Sequence, residues 1–311
     1  MPLSERALQV AKELELERDS KFSEEPHVVT SIDLPHADLF SDGARTLGKA
    51  LAENTALTRL NVVSCKLGAL SAMGEGACKV LAEYLTGHAS LAVLKLGSNN
   101  IGNEGVPHVL AMLSATPTLT VLNLGGNGIA AEGCALIADA LRQRQPGTHE
   151  QRPQSLKALS LSRNPIGDVG AAALAAALPW NDTLTSLDLW GCGVDGEGAM
   201  AFVECFGQRD VHNMALQSLN LWANPLGGPR GAGFLAQMLH DIKAWKSTLK
   251  LRIGGYNPSH NPIQRTTEGL PKGYTRALAG NRLAGLAAGE DDAETRASKA
   301  KAQQMTWSDD D

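Results

Sequence analysis

Seven times along the chain the spacing Leu-x-x-Leu-x-Leu-x-x-(Asn/Cys)-x-(Ile/Leu/Val) returns, and three of the intervals between copies are 28 residues. A recurring period of this length commits a chain to stacked repeats rather than to one closed core. The clearest copies place Leu91, Leu94, Leu96, Asn99 and Ile101; Leu119, Leu122, Leu124, Asn127 and Ile129; and Leu156, Leu159, Leu161, Asn164 and Ile166. Further copies begin at Leu57, Leu184 and Leu216, with Cys65, Cys192 and Asn224 at the ninth position. The copy at Val29 carries Ala37 there and reads as an entry repeat.

Each copy resolves into physical parts. The central Leu-x-Leu suits a short strand, whose alternate side chains point to opposite faces, so the leucines are buried and the x residues exposed. The Asn at the following turn can satisfy backbone groups of adjacent coils, and a thiol can do less. A second signature follows, Gly-(Ala/Val/Cys)-x-x-Φ-x-x-x-Φ, as at Gly105, Val106, Val109, Leu113 and at Gly170, Ala171, Leu174, Leu178. Spacing by four puts these apolar residues on one helix face. A strand–helix unit cannot bury that face alone, so the expected fold is an α/β solenoid, curved, with parallel strands inside and helices outside. Starting positions 29, 57, 91, 119, 156, 184, 216 and 249 leave irregular intervals whose extra residues must loop out. The largest, Gln143 to Gln154, is polar with two prolines.

These residues resemble the leucine-rich repeats of the ribonuclease-inhibitor type over residues 28 to 250. The resemblance implies a horseshoe. It also includes proteins of several functions: ribonuclease inhibitors, Ran GTPase-activating proteins, sensor ends of nucleotide-binding immune receptors and subunits of ciliary axonemes. Fold of this kind does not fix function.

Composition narrows the options. A net charge of -5 argues against a polyanion-binding surface, so no nucleic acid is expected as partner. No run of 18 apolar residues spans a membrane, and the start Met-Pro-Leu-Ser-Glu-Arg lacks a secretory apolar core, so a cytoplasmic location is expected. The five cysteines fall on repeat-core positions and read as reduced, buried small hydrophobes. Asn181-Asp182-Thr183 is a glycosylation sequon that should stay unmodified in that setting.

The chain divides into residues 1–27, 28–255 and 256–311. Residues 4–18 predict a capping helix with Leu8, Val10, Ala11 and Leu14 partly on one side. Past Leu249 the repeat frame calls for Leu at 252 and 254 but meets Arg252 and Gly254, so an eighth repeat is expected to be broken or to serve as a distorted cap. Residues 250–285 carry six cations against Glu268, and residues 290–311 carry seven acids against three cations. Such a charge-segregated stretch is expected to be disordered alone or ordered by wrapping a partner.

Candidate site residues come from the exposed strand columns. One column runs Asp33, Asn61, Lys95, Asn123, Ser160, Asp188, Asn220, and the next runs Pro35, Val63, Gly97, Gly125, Ser162, Trp190, Trp222. Neighbouring strands lie about 4.8 Å apart, so Trp190 and Trp222 should be adjacent on the inner wall. With Asp188 and Asn220 beside them, and with Trp307 in the acidic tail, they are the candidate protein-binding residues. Either a partner or the chain's own loops and tail could cover the rings. No His-Glu-x-x-His, Cys-x-x-Cys or phosphate-binding glycine loop occurs, so no enzyme, cofactor or metal is expected. The functional expectation is a non-catalytic scaffold for other proteins in a larger assembly. Resemblance to axonemal proteins implies a ciliary or cytoskeletal one, and resemblance to Ran GTPase activators supplies the alternative.

Overall fold

Three-residue strands with one aliphatic at the centre recur through the computed structural model, and in the first seven that residue is buried. They are β1 (Ser31–Asp33), β2 (Arg59–Asn61), β3 (Val93–Lys95), β4 (Val121–Asn123), β5 (Ala158–Ser160), β6 (Ser186–Asp188), β7 (Ser218–Asn220) and β8 (Lys250–Arg252). All pair in parallel with their sequence neighbours in one eight-stranded sheet. Ile32, Leu60, Leu94, Leu122, Leu159, Leu187, Leu219 and Leu251 stand opposite one another in register. The structure describes residues 29–51, 54–68, 76–142, 155–207, 215–226 and 250–252. The expected capping helix 4–18, the insertion 143–154, the segment 256–311 and Trp307 lie outside these residues.

Between strands run helices α1 (Phe40–Leu51), α2 (Ala77–Leu85), α3 (Gly102–Ala115), α4 (Ala131–Leu141), α5 (Gly167–Ala177) and α6 (Gly196–Gly207). Each packs against the next along the chain, and each lays its inward aliphatics on the leucines of the strands. The glycine opening the helix signature is what sets this spacing. A Cβ on Gly170 would run into the Ile166 side chain and come within 3.1 Å of Cys134 Cβ. Gly105, Gly133 and Gly198 face Ile101, Ile129 and Val194 in the same way.

The turn asparagines join the repeats. Asn127 Oδ1 accepts from the backbone N–H groups of Asn99 at 2.9 Å and Ile101 at 3.4 Å, while its Nδ2 donates to the carbonyls of Leu96, Leu124 and Gly125. Asn99, Asn164 and Asn224 repeat the pattern, so buried turn amides that no strand ladder reaches are satisfied by side chains. Where cysteine replaces asparagine, the thiol donates to the preceding turn, from Cys65 to the Leu34 carbonyl and from Cys192 to the Leu161 carbonyl. The N–H of Ile166, which an asparagine would have received, instead donates to the Asn164 carbonyl at 2.8 Å. Burial pushes the thiols up, Cys65 to about 11 and Cys78, Cys134 and Cys192 to about 12. All five cysteines are buried, and none forms a disulfide.

One frame differs from the sequence expectation. β8 does form, with Leu251 opposite Leu219 rather than the Arg252 that counting from Leu249 had put there. Counted back from Leu251, the eighth unit starts one residue earlier, at Thr248, because pairing with β7 decides the register, not the nearest available leucine.

Candidate functional site

The concave columns end, on β6 and β7, in two stacked indoles. Trp190 and Trp222 have ring centroids 6.2 Å apart and an interplanar angle of 18°, an offset stack. Their backbones are fixed from both sides. The N–H of Trp190 donates to Asp188 Oδ1 and that of Trp222 to Asn220 Oδ1, each at 3.1 Å, a local Asx turn closing the strand. The N–H of Arg163 donates to the Trp190 carbonyl and that of Gly191 to the Trp222 carbonyl, which ties each ring to the preceding repeat.

Arg163 completes the group. Its guanidinium carbon lies 4.5 Å from the centroid of the Trp190 ring. It can reach there because Arg163 occupies the second position after the third leucine, where every repeat turns through the left-handed region: His36, Ser64, Ser98, Gly126, Arg163, Gly191 and Ala223 all have positive φ. A guanidinium over an indole gains both cation–π attraction and flat stacking. Sequence reasoning missed Arg163, although extending the exposed columns by a single position would have found it.

Asp188 behaves differently from its expected role. Its side chain is only 8% exposed. Oδ2 accepts from the Ser160 hydroxyl at 2.9 Å, and Oδ1 accepts from Asn220 Nδ2 at 2.7 Å as well as from the Trp190 N–H. The carboxylate therefore positions the tryptophans and offers little charge to an approaching molecule. Asn220 acts likewise, bridging Asp188 to Trp222. The same device appears at the other end of the sheet, where Asn61 Nδ2 donates to Asp33 Oδ1 at 2.7 Å, with Pro35 and Val63 in place of the rings. Trp222 is 39% exposed and Trp190 half-buried beneath Arg163 and its neighbour. Among the described residues no group of three or more His, Cys, Asp or Glu side chains is placed to hold a metal ion. No described helix is long and apolar enough to cross a membrane.

The sequon asparagine has a structural assignment. Asn181 is 1% exposed, its Nδ2 donates to the Leu141 carbonyl at 2.7 Å, and its Oδ1 accepts from the N–H groups of Thr183 and Leu184. A side chain so engaged has no free amide to modify.

Comparison with known proteins agrees with this architecture. The leucine-rich repeat family model matches residues 87–106, 116–138, 152–175 and 181–203. The chain is 34% identical over 143 residues to the ribonuclease inhibitor of Sus scrofa, covering 45% of this chain and 28% of that protein. It is a leucine-rich repeat protein of the ribonuclease-inhibitor-like type. The repeat protein is also 30% identical over 201 residues to NACHT, LRR and PYD domains-containing protein 14 of Mus musculus, across 64% of this chain and 18% of the relative. To Centrosomal protein of 78 kDa of Mus musculus it is 30% identical over 182 residues, across 58% of this chain and 20% of the relative. The chain thus spans less than a third of the length of these relatives.

Proposed function

We propose that this leucine-rich repeat protein is a non-catalytic protein-binding module that holds other proteins within a multiprotein assembly, with the concave surface around Trp190, Trp222 and Arg163 as its principal contact. The observation that carries this reading is the stacked tryptophan pair. Two indoles kept rigid by Asp188, Asn220 and the turn backbone lose little conformational freedom on binding, and rigid aromatic and arginine side chains are the groups that dominate interface energetics. The repeat type supports it as well, because a solenoid presents an extended surface. One relative is by name an inhibitor and another by name a centrosomal protein, which supports an intracellular, cytoskeletal or ciliary assembly as the setting.

The test is affinity capture with the intact chain and with a Trp190→Ala/Trp222→Ala double variant of matched thermal stability. Each indole should contribute on the order of 2 kcal/mol, so a partner of this surface loses at least about thirty-fold in affinity and drops out of the captured set. An unchanged set of partners overturns the assignment of the surface. Acceleration of GTP hydrolysis by Ran at catalytic amounts of the protein would replace the scaffold with the GTPase-activating alternative.

A further inference from the structure

We propose that the outer ring face of Trp222 is the docking platform for this chain's own segment Trp307–Asp311, so that the concave surface carries a tethered occupant. The inference rests on the reading of that surface as a protein-binding one and names what competes for it.

Arg163, Trp190 and Trp222 form a single column. Arg163 lies over the Trp190 ring and Trp222 stacks on Trp190, so in repeat order the column runs Arg163, Trp190, Trp222 and ends at Trp222. Among the described residues the ring contacts of Trp222 run to Trp190 alone, and 39% of Trp222 is exposed. The exposed part of an indole at the end of a stack is an apolar surface that gains by receiving another flat ring.

Charge selects among the rings available. The charged side chain held in the column is a cation, Arg163, and β8 sets Lys250 and Arg252 in register with Ser218 and Asn220. The one carboxylate within the site, Asp188, is buried and committed to Ser160, Asn220 and the Trp190 N–H. The fitting occupant is therefore an aromatic side chain next to negative charge. Between residues 256 and 311 the aromatic residues are Tyr256, Tyr274 and Trp307, and only Trp307 adjoins an acidic run, Asp309 to Asp311. Both tyrosines lie within residues 250–285, whose excess charge is positive. Reach is ample, since the 55 residues from Arg252 to Trp307 have a root-mean-square span of about 40 Å as a flexible chain. Tethering at that length gives an effective concentration on the order of 1 mM, enough to fill a weak site.

Hydroxyl-radical footprinting of the full chain at low salt, read residue by residue by mass spectrometry, tests the contact. Replacing Trp307→Ala should raise the oxidation rate of Trp222 about five- to tenfold, the release expected when a largely filled tethered site is emptied. Asp309→Asn/Asp310→Asn/Asp311→Asn should raise it by a smaller factor, as should added salt, while the exposed Trp180, in the turn after α5, keeps its rate throughout. A Trp222 rate indifferent to Trp307→Ala overturns the proposal. Protection that grows with protein concentration also overturns it, because the occupant would then be a second copy. If Trp222 is indifferent to Trp307 yet Trp190→Ala/Trp222→Ala still abolishes partner capture, the protein-binding function stands and only the tethered occupant is lost.

Discussion

Position by position, the same place in successive repeats is filled by residues of unequal fitness, and His88 is the clearest case. Three residues before the first leucine of a repeat, Asn54 and Asn181 each accept two backbone N–H groups and donate their Nδ2 to a carbonyl of the preceding repeat. His88 occupies this place with Nδ1 3.5 Å from the Ser90 nitrogen, and its Nε2 is buried without a partner. Burial holds its pKa below the usual 6.5, against a weaker pull from the Asn54 backbone. A base whose folded pKa is depressed binds fewer protons folded than unfolded, so stability falls as the pH drops through 6.5 toward the folded value. His88→Asn should therefore stabilise the protein by roughly 1 kcal/mol and flatten the fall in melting temperature between about pH 7.5 and about pH 5.5. Thermal melts of both proteins across that range check it; parallel curves would remove His88 as the cause. The site was legible at this scale in part. Trp190 and Trp222 were readable as neighbours because strand columns are read straight from the repeat spacing. Arg163 and the positioning role of Asp188 were not, because the first depends on where a turn residue in the left-handed region sends its side chain and the second on the Ser160 and Asn220 side chains of the adjacent strands.

Among the elements, α5 shows packing overriding local preference. Its sequence Gly-Asp-Val-Gly-Ala-Ala-Ala-Leu-Ala-Ala-Ala is apolar nearly all round, and Val169, Ala172 and Ala176 face outward. Helix propensity alone favours Gly170→Ala by up to about 1 kcal/mol. A Cβ there would meet the Ile166 side chain and sit 3.1 Å from Cys134 Cβ and 3.2 Å from its sulfur. Overpacking of this kind costs about 1–3 kcal/mol, so the substitution should destabilise despite the better helix former. Chemical denaturation decides the sign; a gain in stability would mean that α4 and α5 separate easily. The glycine was visible in the sequence as part of the helix signature, yet the spacing alone does not mark it as a contact between helices. Only the distance between successive helices shows that the glycine itself is the point of contact.

Across the whole molecule, cooperativity has to pass through the links between neighbouring repeats, and Asn127 is a central one. It receives the Asn99 and Ile101 amides from the preceding repeat, and its own N–H donates to Asn164 Oδ1 in the next. Asn127→Ala strands buried amides and carbonyls together, a loss of about 3 kcal/mol or more, whereas Asn127→Cys keeps a donor to the preceding turn and should cost less. If unfolding becomes biphasic in Asn127→Ala alone, the asparagine ladder is what makes the solenoid one cooperative unit; equal effects of Ala and Cys would deny the ladder that part. The sequence by itself determined the strand–helix alternation, the seven starting points, the buried leucines and the adjacency of the two tryptophans. Those follow from periodicity, which is local and survives without any knowledge of neighbours. Tertiary structure alone decided the register of β8, the burial of Asp188, the engagement of Asn181 and the stacking of Arg163 on Trp190. Each of these is set by a contact with the adjacent repeat, about thirty residues away along the chain, where spacing names the partner strand but not the geometry of the side chains that meet.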